Sequence, residues 1–305
     1  MAIDQNPAPA PGAACLTPGN WYTLSGEAPR RVSPAEVVQL AAARDVVLLG
    51  EHHDDPDHHL WQLQTLSTLY IARPKITIGF ESFPRRVQPV LDRWIAGELT
   101  EQQFLAAVDW KKIWNLPAPL YLPLFNFARI NRIPIFALNV ESSLTRDIGR
   151  KGWDAIPPAQ REGVSQPASP SPAYEASLLE AFSRHGPAEG KRSVDRNDPG
   201  FRRFVEAQAT WDRAMAEALA LRVKHGEARA LVVGIAGAGH VEHGYGIPHQ
   251  LSDLGIDRVA ILLPVSAKTA CGDLERTLAD AVFALPADPH DKPESDSPKR
   301  VSDLE

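Results

Sequence analysis

The constraint that narrows the fold most is a set of short apolar runs rich in β-branched residues, spaced between longer helical patterns. They are DVVLLG (45–50), KITIGFE (75–81), PIFALNVE (134–141), ARALVVGIAG (228–237) and DRVAILLPV (257–265). None alternates cleanly between apolar and polar positions, so strands made from them need cover on both faces. A mainly parallel sheet with helices on each side meets that need. The expected class is therefore α/β, a mainly parallel sheet flanked by helices with a helical insertion.

The intervening segments carry helix signals of their own. After Asp55 and Pro56, Leu60, Leu63, Leu66, Leu69 and Tyr70 recur at three- and four-residue intervals until Pro74 stops the pattern. A further pair of helices is expected over roughly 86–108. The longest begins with Asp198 as N-cap and Pro199 in the first turn and ends at Gly226. Residues 153–172 are proline-rich and read as a loop or flap, which makes 142–226 a helical insertion between two strands of one sheet. Residues 1–19 and 286–305 are Pro-punctuated and polar or Ala-rich, and both read as flexible tails around one domain at 20–285. At 305 residues the chain is long enough to bury a substantial core without staples.

Composition removes several functions. A formal charge of -6 with no lysine/arginine cluster gives no footprint for nucleic acid. No apolar run approaches the ~20 residues of a membrane span. The N-terminal MAIDQNPAPAPGAAC has neither the basic start nor the apolar stretch of a signal peptide, although GAAC at 12–15 looks like the end of a lipoprotein processing site. With only Cys15 and Cys271, a disulfide framework and a thiolate metal site are excluded, and one long-range disulfide is left open.

The polar residues fall in a pattern. Glu51 and His53 follow the first run, Glu81 ends the second, Asn139 and Glu141 end the third, and Gly237, Gly239, His240 and His243 follow the fourth. In a parallel sheet the carboxyl ends of the strands share one edge, where ligands bind, so these stretches are expected to converge on one cleft. Carboxylates and imidazoles in reach of one another can ligate a divalent metal or act as general acid and base. The glycines of VVGIAGAGHVEHGYGIP allow tight turns and close backbone approach to a ligand. Their spacing does not give the dinucleotide pattern, GxGxxG opening a long helix. On the longest helix, Gln208 and Asp212 share a face and are candidates to reach the cleft.

Each residue also has a plainer reading. His58 and His59 read as surface or capping residues, and His225 and His290 as solvent-facing. Glu81 has Arg85 and Arg86 nearby as ion-pair partners, and Asn139 suits a turn. For Glu51 and His53 the functional reading is preferred, because ionisable groups at the buried end of a strand are costly unless paired. If they serve a ligand rather than packing, Glu51→Gln and His53→Ala should cost little stability. The tryptophans read as core, while Trp110, Trp114 and Tyr121, in a segment of weak helical period, are candidates to line an apolar pocket.

Taken together, GExH at 50–53, GFESFPRRVQPVLDRW at 79–94, YLPLFNFAR at 121–129, PIFALNV at 134–140, AQATWDRAMA at 207–216 and GAGHVEHGYGIPHQL at 237–251 resemble the ChaN-like haem-binding uptake family. The resemblance implies haem held in a dimer through tyrosine ligation, in iron uptake at the cell envelope or periplasm. Tyr245, His243 and Tyr121 are the residues expected to contact haem. The wider Tiki superfamily, with Tiki-type metalloproteases and erythromycin esterases, implies an alternative: a metal-dependent hydrolase built on paired GxxH motifs, here 50–53 and 237–240. In that case His53, His240 and Glu51 would hold zinc or manganese, and Glu51 or Glu81 would act as general base. Asn139, Gln208, Asp212, Gly237 and Gly239 would support either site.

Overall fold

The computed structural model describes residues 15–26, 28–184, 195–227 and 229–287. The five apolar runs become strands β3 (Val46–Glu51), β4 (Ile76–Pro84), β5 (Ile135–Asn139), β6 (Leu231–Gly237) and β7 (Val259–Ser266). Three short strands that the sequence did not announce complete the sheet: β1 (Trp21–Thr23), β2 (Arg30–Val32) and β8 (Ala281–Leu285). The order across the eight-stranded sheet is β2-β1-β8-β7-β3-β6-β4-β5. From β8 to β5 the strands run parallel, and β1 and β2 add an antiparallel edge. The fold is α/β as expected.

Alternate residues of one strand feed two cores. Val47 and Leu49 of β3 enter a core with helices α1 (Pro34–Ala42), α2 (Pro56–Ala72), α3 (Gln88–Ala96) and α4 (Glu101–Val108). Helices α5 (Trp110–Ile113) and α6 (Ala118–Ile130) pack in the same core. On the other face, Val46 and Leu48 pack in a second core. There they meet α9 (Pro199–His225) and α10 (Ile247–Asp253). Because each β3 side chain is lost from water on one face or the other, the run has no polar position to spare. Helices α7 (Ser142–Lys151) and α8 (Pro172–Arg184) precede α9 within the expected insertion.

Several expectations need correction. Tyr121, Leu124, Phe125 and Ala128 form a buried stripe on α6, so the segment called weakly periodic is helical. Its period was hidden by Pro117, Pro119 and the internal Pro123, which α6 tolerates. Residues 15–19 are not a loose tail: Leu16 is buried, the Thr17 amide donates to the Tyr22 hydroxyl, and the Gly19 amide donates to the Ala284 carbonyl. Cys15 is disulfide-bonded to Cys271, with Cα atoms 5.5 Å apart. The Pro-rich stretch is a loop as expected, with two short 3-10 turns, and is held where the Ser165 amide and hydroxyl both donate to Glu217 of α9. His290, residues 12–14 of GAAC and the 288–305 stretch lie outside the described residues.

The order of strands sets the crevice. The chain leaves β3 on one side of the sheet through α2, which packs in the first core. It leaves β6, the neighbour of β3, toward α10 in the second core. Helices departing to opposite faces open a gap above the carboxyl ends of two adjacent strands. That gap is where both GxxH segments end.

Candidate functional site

Glu51, the last residue of β3, is buried, and its carboxylate is fully engaged. Its Oε1 accepts from the Tyr121 hydroxyl at 2.6 Å and lies 2.8 Å from His53 Nδ1. Its Oε2 accepts from Gln62 Nε2 at 2.8 Å and lies 3.5 Å from His59 Nδ1. Burial pushes the Glu51 pKa up, but hydrogen bonding and charge attraction from His53, with help from His59 and Tyr121, outweigh it and hold the group at about 2. Against a like burial cost, Glu51 and Glu81 raise the His53 pKa to about 9. The Tyr121 phenol moves well above its ordinary value, first through burial and then through the Glu51 charge.

A second carboxylate–imidazole pair faces the first. Asp212, reaching in from α9, has Oδ1 2.6 Å from His240 Nδ1, and Gln208 Nε2 lies 3.1 Å from the same nitrogen. The other Asp212 oxygen accepts from the Tyr174 hydroxyl at 2.9 Å. Burial works against a charged His240, yet Glu81 and Asp212 raise its pKa to about 10. Indole cover comes from both sides: Trp211 lies edge-on to His240 at 4.8 Å between centroids, and Trp114 lies edge-on to His53 at the same separation.

Glu81 sits between the two pairs. The Gly237 amide donates to its Oε2 at 2.7 Å, and His240 Nε2 lies 3.5 Å from its Oε1. That Oε1 is buried without a hydrogen-bond partner. Burial raises the Glu81 pKa, but His240, His53 and the Gly237 amide carry it below its ordinary value. Gly237 is required here by contact, because a Cβ on it would lie 2.9 Å from His53 Nε2 and 3.6 Å from Glu81 Oε2. The glycine of the second motif thus makes room for the histidine of the first. Gly246 is crowded in the same way, its missing Cβ falling 2.8 Å from Asp212 Oδ1. Gly239 is different: a Cβ there meets nothing within 4 Å, so packing within this chain does not demand it.

The sequence readings of Glu51, His53, Glu81, Asn139, Gln208, Asp212, Gly237 and His240 as one cluster correspond to residues the fold brings together. Asn139 supports Glu81 by donating to its carbonyl at 3.1 Å. Glu81 forms no pair with the nearby arginines, since Arg85 turns to Glu217 and Arg86 to Glu141. His58 and His59 are not surface residues. His58 Nδ1 accepts the His52 amide at 2.9 Å, and burial lowers its pKa to about 3. His59 is buried with Nε2 3.0 Å from the His53 carbonyl. Tyr121, expected to touch a ligand, is 1% exposed and spends its hydroxyl on Glu51, so it supports the cluster from behind. Gln62, Tyr174 and Trp211 were not foreseen. For Gln62 the signal was a lone amide on the buried face of an apolar helix.

His243 and Tyr245 stand one step outward. Their rings stack at 5.0 Å, and Tyr245 lies 5.6 Å from the ring of Tyr174, the partner of Asp212. Tyr245 is half-buried, and its hydroxyl makes no hydrogen bond to the described residues. An imidazole beside an unengaged phenol suits a ferric porphyrin, for which tyrosine is a known axial ligand. The fit to a divalent metal is poor: among the described residues no three His, Cys, Asp or Glu side chains are set to hold an ion.

The sheet and this cluster define an α/β protein with one polar site at its carboxyl edge, and the match to a family model makes the class specific. The model described as "Haem-binding uptake, Tiki superfamily, ChaN" matches residues 37–251, and the chain belongs to that family. Among solved structures, the one described as cofacial heme binding to ChaN of Campylobacter jejuni aligns with a TM-score of 0.64 and 20% identity, covering 87% of this chain and 96% of that one. Erythromycin esterase EreC aligns more loosely, at a TM-score of 0.45 and 11% identity over 75% and 72% of the two chains. The RRSP toxin effector domain of Vibrio vulnificus gives 0.43 and 19% over 76% and 36%. No curated protein matches the sequence. Among the described residues no helix is long and apolar enough to cross a membrane.

Proposed function

We propose that this chain binds haem at the carboxyl edge of its sheet, with Tyr245 as the iron ligand and His243 beside it, in the handling or uptake of haem. The reading is supported by membership of the haem-binding family and carried by one observation. Tyr245 is half-buried with its ring against those of His243 and Tyr174, and its hydroxyl is spent on no described residue. Bound haem would supply a ferric centre that draws on the phenolate. The protein's own part is to hold the phenol and exclude water around it. Tyr174, fixed by Asp212, and His243, fixed by Thr277, both pack their rings against Tyr245. A homodimer that encloses the haem belongs to the same proposal. Resonance Raman spectroscopy of the ferric complex tests the ligand. Phenolate–iron bands present in the wild type and absent in Tyr245→Phe support the assignment, and a wild-type spectrum without them removes it.

A second reading is favoured by the unpartnered Glu81 Oε1 between two carboxylate-oriented imidazoles. It is a hydrolase in which His53, oriented by Glu51, takes a proton from water through Nε2 while protonated His240 donates toward the leaving group. Glu81 steadies both charges. Because the His53 pKa is raised to about 9 and that of His240 to about 10, His53 loses its proton ahead of His240 as pH rises. Ester hydrolysis should therefore climb from pH 7 to about 9 and decline above about 10. A rate that is flat over that span, or unchanged in His53→Ala, counts against this reading.

A further inference from the structure

The rim that carries Tyr245 is not held by the cluster alone. His243 adopts φ 57°, a left-handed conformation that a non-glycine residue keeps only when its surroundings enforce it. The enforcing contacts come from the segment linking β7 to β8. The His243 amide donates to the Leu278 carbonyl at 3.0 Å, its Nδ1 lies 2.9 Å from Thr277 Oγ1, and Glu275 Oε2 is 3.7 Å away. That segment is fastened in turn. Leu274 and Ala279 are buried in the second core, and Cys271 is joined to Cys15. Cys15 leads directly into buried Leu16 and β1, so the disulfide ties the segment to the antiparallel edge of the sheet.

We propose that the Cys15–Cys271 disulfide is a redox clamp on this rim: oxidised, it holds His243 and Tyr245 in their stacked arrangement, and its reduction releases them. The reductant is a dithiol. One of its thiolates attacks a protein sulfur, the S–S bond breaks with that electron pair leaving on the other cysteine, and a mixed disulfide forms. The second dithiol sulfur then displaces the protein sulfur, leaving two cysteine thiols and an oxidised dithiol, with two electrons and two protons transferred. Leu274 and Ala279 anchor the segment by packing, and the Cys15–Cys271 bond is the anchor that a reductant can open, so its release loosens the contacts that enforce the His243 backbone.

The consequence for ligand affinity rests on the haem reading; the clamp itself does not. Amide hydrogen exchange is measured on the full chain as the oxidised protein and as the dithiol-reduced, alkylated protein, with Cys15→Ser/Cys271→Ser as the alkylation-free counterpart. The His243 amide should exchange at least tenfold faster in both thiol-free-of-disulfide forms, while the central Leu48 amide of β3 keeps its rate. Unchanged His243 exchange overturns the clamp, and equal acceleration at Leu48 overturns it too, by making the bond a global staple. In parallel, haemin should bind the reduced form five- to tenfold more weakly. If the oxidised protein takes no haemin, the haem reading fails while the exchange result still decides the clamp. If both forms bind haemin equally, the clamp has no hold on the ligand.

Discussion

At the scale of single residues, the two halves of the first GxxH motif have separated roles. Glu51, itself out of water, accepts from buried Tyr121 and Gln62 and pairs with His53, so its replacement leaves buried donors unanswered. Glu51→Gln should destabilise the fold by about 2–3 kcal/mol in urea or guanidinium titration. The expectation that it would cost little treats it as a ligand-serving group alone, because Gln62 and Tyr121 reach it from helices 11 and 70 residues away and leave no local signal beside it. His53 is about one-third exposed at its side chain, which screens its pairing with Glu51, and His53→Ala should cost about 1–2 kcal/mol near neutral pH. The same charges set the pH response. His53 and His240 have folded pKa values of about 9 and 10 against 6.5, so their stabilisation is complete below pH 6.5 and lost as pH rises through those values. His58, lowered to about 3, and Glu51, lowered to about 2, act in the opposite direction, their contributions fading as pH falls below 6.5 and 4.5 respectively. Thermal stability should therefore peak near pH 6–7 and fall toward both pH 3 and pH 10, and the alkaline fall should shrink in His53→Gln. A melting temperature constant from pH 7 to 10 would mean these imidazoles carry no charge in the folded state.

At the scale of elements, what was legible depended on length and contact. The long α9 announced itself through Asp198, whose carboxylate accepts from the Gly200 and Phe201 amides, and Asp198→Ala should cost about 1 kcal/mol in the same denaturant titration. The five buried strands were legible because each is apolar throughout. The edge strands β1, β2 and β8 were not, because three to five residues carry too little pattern to stand out. Their pairing is fixed by tertiary contact. Close packing between β4 and β5 shows the limit from the other side: a Cβ on Gly79 would lie 2.5 Å from Leu138 and 2.7 Å from the Phe136 ring. Gly79→Ala should thus destabilise by about 1–3 kcal/mol through overpacking, and an unchanged denaturation midpoint would show that β5 can shift away. No sequence pattern signalled that contact, since it joins residues 57 or more positions apart.

At the scale of the whole molecule, the α/β class and a cleft at the carboxyl edge followed from alternation of strands and helices, while the strand order that puts β3 beside β6 did not. What joins the rim to the rest was only partly legible, since two cysteines left one disulfide open without saying what it would tie together. Tyr174 comes from α8 after the Pro-rich flap and leaves no local trace, and Cys271 lies 256 residues from Cys15, so the count of cysteines allowed their bond while nothing local placed it beside the rim. The central claim is that this assembled rim is a haem site, and a haemin titration followed by absorbance tests it most directly. The account predicts a saturable, red-shifted Soret transition for the wild-type chain, weakened at least tenfold in Tyr245→Phe. A wild-type titration that rises linearly without saturation, or a Tyr245→Phe curve that overlays it, would contradict the claim.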